Sequence, residues 1–476
     1  MYGVGVRTRS ASVCAAIGLI AVTPARAEPG EVIGADGMVF AGVTGGDPAG
    51  GVVNPATLGI LRPGTLGTVT VLGAVEQLGI DRRQVALDGS VTAGEAVRDR
   101  TAGAGLAIGA VTGGRALSFA GQLDVPPPDE TIDDPAVADH TRGSRTRRFG
   151  GGAGVAFRFG SRFHFGIWVD VTDHRQVLRF ARDTALEAGR DPVRGIGSDC
   201  GGVACGLGAP AARELWRVEL EPATLGINDA VYTLGVLVRL PRGLTLGLSA
   251  QRPWESGRYT TAGTAIITRA PRDGGAVVRG DAVFHQHLPE TYRVGLRATL
   301  PRGWDATAEA RLRRLSRAEP QHLRVFGGEL ADAEVPEFVT LARGLDDAYA
   351  LEVGAEQDDA RVWRFGARLG YDTGATTAAA LSARAPWAAR VSAAVGVQLR
   401  RDRLTVSLGY RLDAQAPTTT GASRFDPLAQ LGCADAGYDY DAPACASVRA
   451  GYGMATGLGD YWRLGHSARL TLGFPL

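Results

Sequence analysis

The chain has 476 residues, 45% of them hydrophobic, and its 51 Lys+Arg nearly balance its 50 Asp+Glu; every basic position is arginine. That balance excludes a nucleic-acid surface built on cationic excess. After the N-terminal region no run approaches the roughly 18 apolar residues that a transmembrane helix needs.

Residues 1–27 read as a secretory signal peptide. Arg7 and Arg9 form a positive n-region, residues 11–22 a short apolar stretch, and Ala25-Arg26-Ala27 a small-x-small cleavage site. Cys14 sits inside the apolar stretch and is not placed for lipid acylation. Cleavage after Ala27 would leave a mature chain from Glu28 with a net charge of −2, since it removes three arginines and no acid.

The next segment, GGDPAGGVVNPATLG at 45–59, is dense in glycine and proline and has no apolar periodicity. Val52, Val53 and Leu58 are out of place in a solvated linker.

From residue 64 the pattern changes to period two. LTLGLSAQ (244–251), YRVGLRATL (292–300), WRFGARLGY (363–371) and LTVSLGYRL (404–412) each alternate apolar residues with Gly, Thr, Ser or Arg. Successive strand side chains point to opposite faces, so each segment has one apolar and one polar face. This reading places fourteen strands near 64–77, 102–111, 116–125, 148–159, 163–180, 226–240, 244–262, 288–300, 303–318, 345–357, 361–373, 387–400, 404–414 and 462–475. Short connections (112–115, 160–162, 241–243, 358–360, 401–403) alternate with long polar ones (126–147, 183–225, 319–344, 415–460). Short turns on one side, long loops on the other, an even strand number and an outward apolar face predict an antiparallel outer-membrane β-barrel. Closure leaves no unpaired backbone edge in lipid.

By the same phasing Gly166, Gly235, Gly247, Gly295, Gly354, Gly366, Gly396, Gly409 and Gly473 face the lumen. Glycine in a strand allows another backbone to approach closely, although a wall that must bend uses it too. Arg158, Arg239, Glu309, Arg311, Arg313, Glu352, Glu356, Arg364, Arg368, Arg390, Arg411 and Arg469 also phase inward. Most are expected to pair with one another. Arg158, Arg364, Arg368, Arg390 and Arg411 are candidates to hold a carboxylate, because the guanidinium offers a planar fork.

Four cysteines follow the signal peptide. Cys200/Cys205 and Cys433/Cys445 are close in sequence and suit loop-local disulfides in an exported chain, although four cysteines allow three connectivities. Their spacing fits no zinc pattern and no histidine adjoins them. His285 and His287 share a strand face, and Asp170 and His174 share another, but neither pair has a third partner of the right kind. There is no Gly-x-Ser-x-Gly. No metal, cofactor or enzymatic activity is expected.

The ordered motifs carry a resemblance. Ala41-Gly42, Asp47-Pro48, Asn54-Pro55-Ala56 and Leu58 resemble the start of the FadL/TodX family of outer-membrane hydrophobic-compound transporters. TLGVLVRLPRGLTLGLSAQRP (233–253) is similar to that family's central hairpin. LPETYRVGLRATLPRGWDATAEARL (288–312), WRFGARLGYDTG (363–374) and LTVSLGY (404–410) resemble later strands. The resemblance implies an all-β fold of about 14 strands with an N-terminal hatch (28–63) inside the barrel (64–476), and Asp47, Pro48, Asn54, Pro55 and Ala56 as hatch residues. It also implies passive transport of fatty acids or aromatic hydrocarbons by hatch rearrangement, and residence in a Gram-negative outer membrane. The implied partners are a hydrophobic small molecule, outer-membrane lipids and the barrel assembly machinery, around a monomer. In the family the third strand is kinked beside a lateral opening; here that strand ends in Pro126-Pro127-Pro128, and the chain ends Phe474-Pro475-Leu476 without the usual terminal aromatic. The alternative is a polar-solute porin or a structural barrel without transport.

Overall fold

The computed structural model describes residues 38–40, 42–45, 48–61, 64–85, 91–184, 210–221, 230–254, 258–341, 343–359, 362–401, 404–423 and 457–476. Its strands are β1 (Gly64–Val85), β2 (Val91–Gly113), β3 (Leu117–Val125), β4 (Asp129–Glu130), β5 (Arg145–Phe159), β6 (Phe163–Asp183), β7 (Arg213–Leu220), β8 (Ala230–Arg239), β9 (Leu244–Pro253) and β10 (Arg258–Thr268). They continue as β11 (Val277–His287), β12 (Glu290–Leu300), β13 (Trp304–Arg314), β14 (Gln321–Phe326), β15 (Phe338–Leu341), β16 (Ala348–Asp359), β17 (Trp363–Asp372), β18 (Arg390–Arg401), β19 (Leu404–Thr420) and β20 (Gly459–Pro475).

Fourteen of these form the barrel wall, in the order β1-β2-β3-β5-β6-β8-β9-β12-β13-β16-β17-β18-β19-β20. Every neighbouring pair is antiparallel. The ring closes where β20 pairs with β1, from Leu66↔Pro475 to Arg82↔Gly459. The hairpins at one end are tight. In the Pro-Arg-Gly turns, Arg242 and Gly243, like Arg302 and Gly303, take positive φ at consecutive positions, which matches the right-handed twist of the flanking strands. The outward face carries exposed Ile108, Leu123, Leu248, Val294, Leu296, Val353, Leu369 and Val395. Exposed Phe159, Phe163 and Trp363 sit at the turn end, and Tyr349, Tyr371 and Trp254 at the loop end, the girdled arrangement of a transmembrane barrel.

Two stretches expected to be loops contain strands, and the strand expected near 244–262 is two. β7 lies within 183–225, β14 and β15 lie within 319–344, and β9 and β10 divide 244–268. β11, also unforeseen, joins them. The upper part of β6 continues into an external sheet, β6-β7-β10-β11-β14-β15. Its inner face buries Phe180, Trp216, Leu220, Ile267, Phe284, Leu323 and Leu341, and Phe180 stacks on Trp216 at 5.5 Å. Outside the bilayer the other face can carry charge, as Arg217 and Glu219 do, so this alternation is that of an ordinary half-solvated antiparallel sheet.

β3 stops at Val125, where Pro126-Pro127-Pro128 follow and cannot donate to a ladder. β2 pairs with β3 only from Leu106 to Gly113. β5 pairs with it only from Gly150 to Phe157, and the two residues of β4 meet Arg145 and Thr146. The ladder between β2 and β5 is therefore interrupted above β3. Pro127 turns inward onto Gly105, where an added Cβ would lie 2.8 Å from its Cδ. Residues 131–141 and 378–388 fold into the upper lumen, burying Ile132, Val137 and Leu381 against Leu78, Ile80, Val97 and Tyr461.

Candidate functional site: an occupied lumen and a cationic cavity above it

The described residues of 38–61 pack inside the lower half of the barrel. Asn54 caps a short 3-10 turn, Pro55–Ile60: Ala56 N donates to Asn54 Oδ1 at 3.1 Å, and Thr57 Oγ1 donates to the Asn54 carbonyl at 2.8 Å. Asn54 Nδ2 donates to the carbonyls of Val43 (2.6 Å) and of Val236 on β8 (3.3 Å). One side chain thus ties two limbs of the segment to each other and to the wall. Asn54, Ala56 and Leu58 are fully buried.

The segment rests on inward glycines. Pro55 and Ala56 lie on Gly166, Asn54 on Gly235, Val43 on Gly247 and Gly295, Val39 and Phe40 on Gly366 and Gly396, and Met38 near Gly409. A Cβ at Gly166 would sit 2.4 Å from the Pro55 carbonyl carbon, and one at Gly247 would sit 2.4 Å from the Val43 oxygen. Only glycine permits that backbone approach. Gly354 and Gly473 instead meet wall side chains, including Arg368 and Thr405.

The lumen has two unlike sides. On β2, β5 and β6, Leu58 packs with Val111, Ala156 and Trp168. On β12, β13 and β16 to β19 the wall is a charge lattice. Glu356 lies 2.5 Å from Arg364, 3.4 Å from Arg368 and 3.7 Å from Arg297. Asp372 gathers Arg313 (2.8 Å), Arg311 (3.3 Å) and Arg390 (3.6 Å). Arg411 lies 2.9 Å from Asp413 and 3.4 Å from Glu352. The segment plugs into this lattice: Phe40 N donates to Glu356 at 3.3 Å, Val43 N donates to Glu309 at 3.1 Å, and Arg364 lies over the Phe40 ring at 4.6 Å. Phe40 is held with φ 71°, in the left-handed region.

All five arginines singled out in the sequence are thus engaged by the protein itself. Arg364, Arg368, Arg390 and Arg411 are in ion pairs, and Arg158 donates to the Leu61 carbonyl at 3.2 Å. Asp47 lies outside the described residues, and Pro48 opens a turn at Pro48–Gly51. Cys200, Cys205, Cys433 and Cys445 also lie outside them. Asp170 accepts from Trp168 Nε1 at 2.6 Å, and His285 pairs with Thr260 at 2.9 Å. Among the described residues no group of three or more His, Cys, Asp or Glu is arranged to hold a metal.

The structure adds a cavity of about 160 Å³ above the segment, between the upper ends of β5 and β6 and residues 383–387. Arg148, His174, Gln321, Arg343, Arg384 and Trp387 line it. Arg343 is committed to Glu319, through Nε at 2.7 Å and its backbone N at 2.8 Å. Arg384 is not: its Nη2 donates to Gln321 at 3.2 Å, while its buried Nη1 has no hydrogen-bond partner among the described residues. Burial, then repulsion from Arg343, lowers its pKa to about 10 against a weaker pull from Glu319. It therefore stays a cation at neutral pH. An enclosed guanidinium without its own carboxylate suits a carboxylate from elsewhere. Arg384 lies in AAALSARAPW, a stretch without periodicity; the one signal was a lone arginine among small apolar residues.

No protein-family model matches the chain, and no curated protein sequence matches it. Solved structures do. A Pseudomonas aeruginosa FadL homologue superposes with TM-score 0.68 at 15% identity, over 93% of this chain and 96% of that one. The Pseudomonas putida toluene transporter TodX gives 0.59 at 13%, over 92% and 98%. The Ralstonia pickettii toluene transporter TbuX gives 0.56 at 12%, over 92% and 98%. At these identities the likeness is one of fold.

Proposed function

We propose that this outer-membrane barrel passively admits hydrophobic compounds, and that its preferred substrates carry a carboxylate, as long-chain fatty acids do. The observation that carries the reading is Arg384: a half-buried cation, one of whose donors has no partner among the described residues, lining a cavity at the loop end of a lumen that the described part of 38–61 fills below. A cavity of about 160 Å³ takes a head group and the first carbons of a chain, not a whole fatty acid.

The residues then divide the work. Arg384 holds the carboxylate. The apolar side of the lumen, Val111, Ala156 and Trp168, receives the hydrocarbon. Residues 28–63 act as a hatch whose Asn54-Pro55-Ala56 corner blocks the lower lumen and must shift for passage. The interrupted ladder between β2 and β5, bounded by Pro126-Pro127-Pro128, offers a sideways route. Several lumen-facing residues at that seam are small, Gly105 and Gly150 among them. The filled lumen favours this reading over a polar-solute porin. The neighbours named as toluene transporters favour an uncharged substrate, and Arg384 is the reason for choosing a charged one.

The test is uptake of labelled oleate and of toluene by cells producing the wild-type barrel or Arg384→Gln. The variant is expected to lose about tenfold of oleate uptake, the value of one charge-assisted contact, with toluene unchanged. Equal loss of both substrates would remove the carboxylate from the reading. No uptake of either above cells lacking the barrel would remove transport.

A further inference from the structure

A second cationic site lies on the outer, lipid-facing side of the wall, at its loop end. Glu290 opens β12 and points outward with Tyr292, Val294 and Leu296, by strand alternation. Its carboxylate accepts from Arg252 Nη2 (3.0 Å) and Nε (3.3 Å), from Arg317 Nη1 (2.6 Å) and from the Tyr292 hydroxyl (2.8 Å). Arg314, its register partner on β13, lies 3.9 Å away. Glu290 is 5% exposed, whereas the side chains of Arg252, Arg317 and Arg314 are 48%, 47% and 37% exposed. The other acid in the cluster is Asp347, 3.7 Å from Arg314 and also bonded by Ser316 N and Oγ.

Three guanidinia therefore share two carboxylates, with donors left over on the exposed side. Four other exposed arginines at the loop end each pair with a single acid: Arg83 with Asp460, Arg98 with Asp81, Arg217 with Glu219, Arg324 with Glu337.

The surroundings place the Glu290 cluster at the level of lipid head groups. Tyr232 faces Arg252 in register and meets Trp254 edge-on at 6.2 Å. Such aromatic residues mark the membrane interface. Directly below, toward the short turns, the same face shows exposed Leu234, Leu248, Val294 and Leu296. A phosphorylated lipid would meet both features at once: guanidinium forks for the phosphate and an apolar stripe for its acyl chains. A free phosphate would use only the first.

We propose that Arg252, Arg314 and Arg317 form a docking site for the phosphorylated head group of an outer-leaflet glycolipid, whose chains lie along Leu248, Val294 and Leu296. Glu290 acts as the pedestal that gathers the three side chains.

Native mass spectrometry of the detergent-solubilised barrel tests this, with lipid A carrying both phosphates and with its dephosphorylated form. Wild-type protein is expected to retain the phosphorylated lipid about tenfold better. Arg252→Gln/Arg317→Gln should lose that preference, and Arg217→Gln should keep it. A gel-mobility difference before and after boiling confirms that each variant is folded. Should the double variant fail to fold, Arg317→Gln and the lipid comparison on wild type still decide the matter. Equal retention of the two lipids by wild type, or an unchanged preference in a folded variant, would overturn the site.

Discussion

The side-chain oxygen of Asn54 occupies the space that a Cβ on Gly235 would need; the two would be 2.0 Å apart. A side chain of the N-terminal segment and the absence of one on β8 are thus two halves of a single contact, 181 positions apart in the chain. Gly235→Ala is expected to push the Asn54-Pro55-Ala56 corner off the wall while the barrel still assembles. The readout is accelerated proteolysis of the segment in a barrel that retains its heat-modifiable gel shift.

Asn54→Ala attacks the same contact from the other side. It removes the donors to the Val43 and Val236 carbonyls and the cap on Ala56 N. A lost cap costs about 0.5–2 kcal/mol, and an orphaned buried acceptor about 1–3 kcal/mol. Substrate uptake should fall, with barrel yield in the membrane unchanged. Uptake equal to wild type would mean that the corner does not control passage.

Glu356, like Asp372, gathers three arginines of the inner lattice. Glu356→Gln would leave Arg364, Arg368 and Arg297 without their shared carboxylate and weaken the hold on Phe40 N. Breaking one partner out of a buried pair costs about 3–5 kcal/mol. A lowered unfolding midpoint in denaturant is expected, larger than that of Arg217→Gln, whose partner Glu219 is solvent-exposed.

The cysteine pairs lie outside the described residues, in the β6–β7 and β19–β20 connections of the sequence. Peptide mapping under non-reducing conditions is expected to show Cys200 joined to Cys205 and Cys433 joined to Cys445. A Cys200–Cys445 link would contradict local pairing.

The wall was legible because bilayer and lumen impose opposite chemistry on alternate residues, as in LTVSLGY. The glycines were legible for the same reason, although their partner was not: nothing local says that Gly166 meets Pro55 or Gly295 meets Val43. β7 was missed, although Glu214, Trp216, Val218 and Leu220 alternate cleanly, because it lies beyond the membrane, where no turn-length rule applies. The lattice was half legible. Arg364 and Arg390 phase inward on sequence alone, but Asp372 reaching Arg313 and Arg390 together depends on three separate strands. Arg384 was invisible to periodicity because an irregular inward-folded segment positions it.

Conductance in planar bilayers tests most directly whether the N-terminal segment closes this barrel. The intact protein is expected to be nearly silent to small ions, and the same protein lacking residues 28–59 to conduct steadily. Steady conductance by the intact barrel, or no change on deletion, would contradict the plugged-lumen reading.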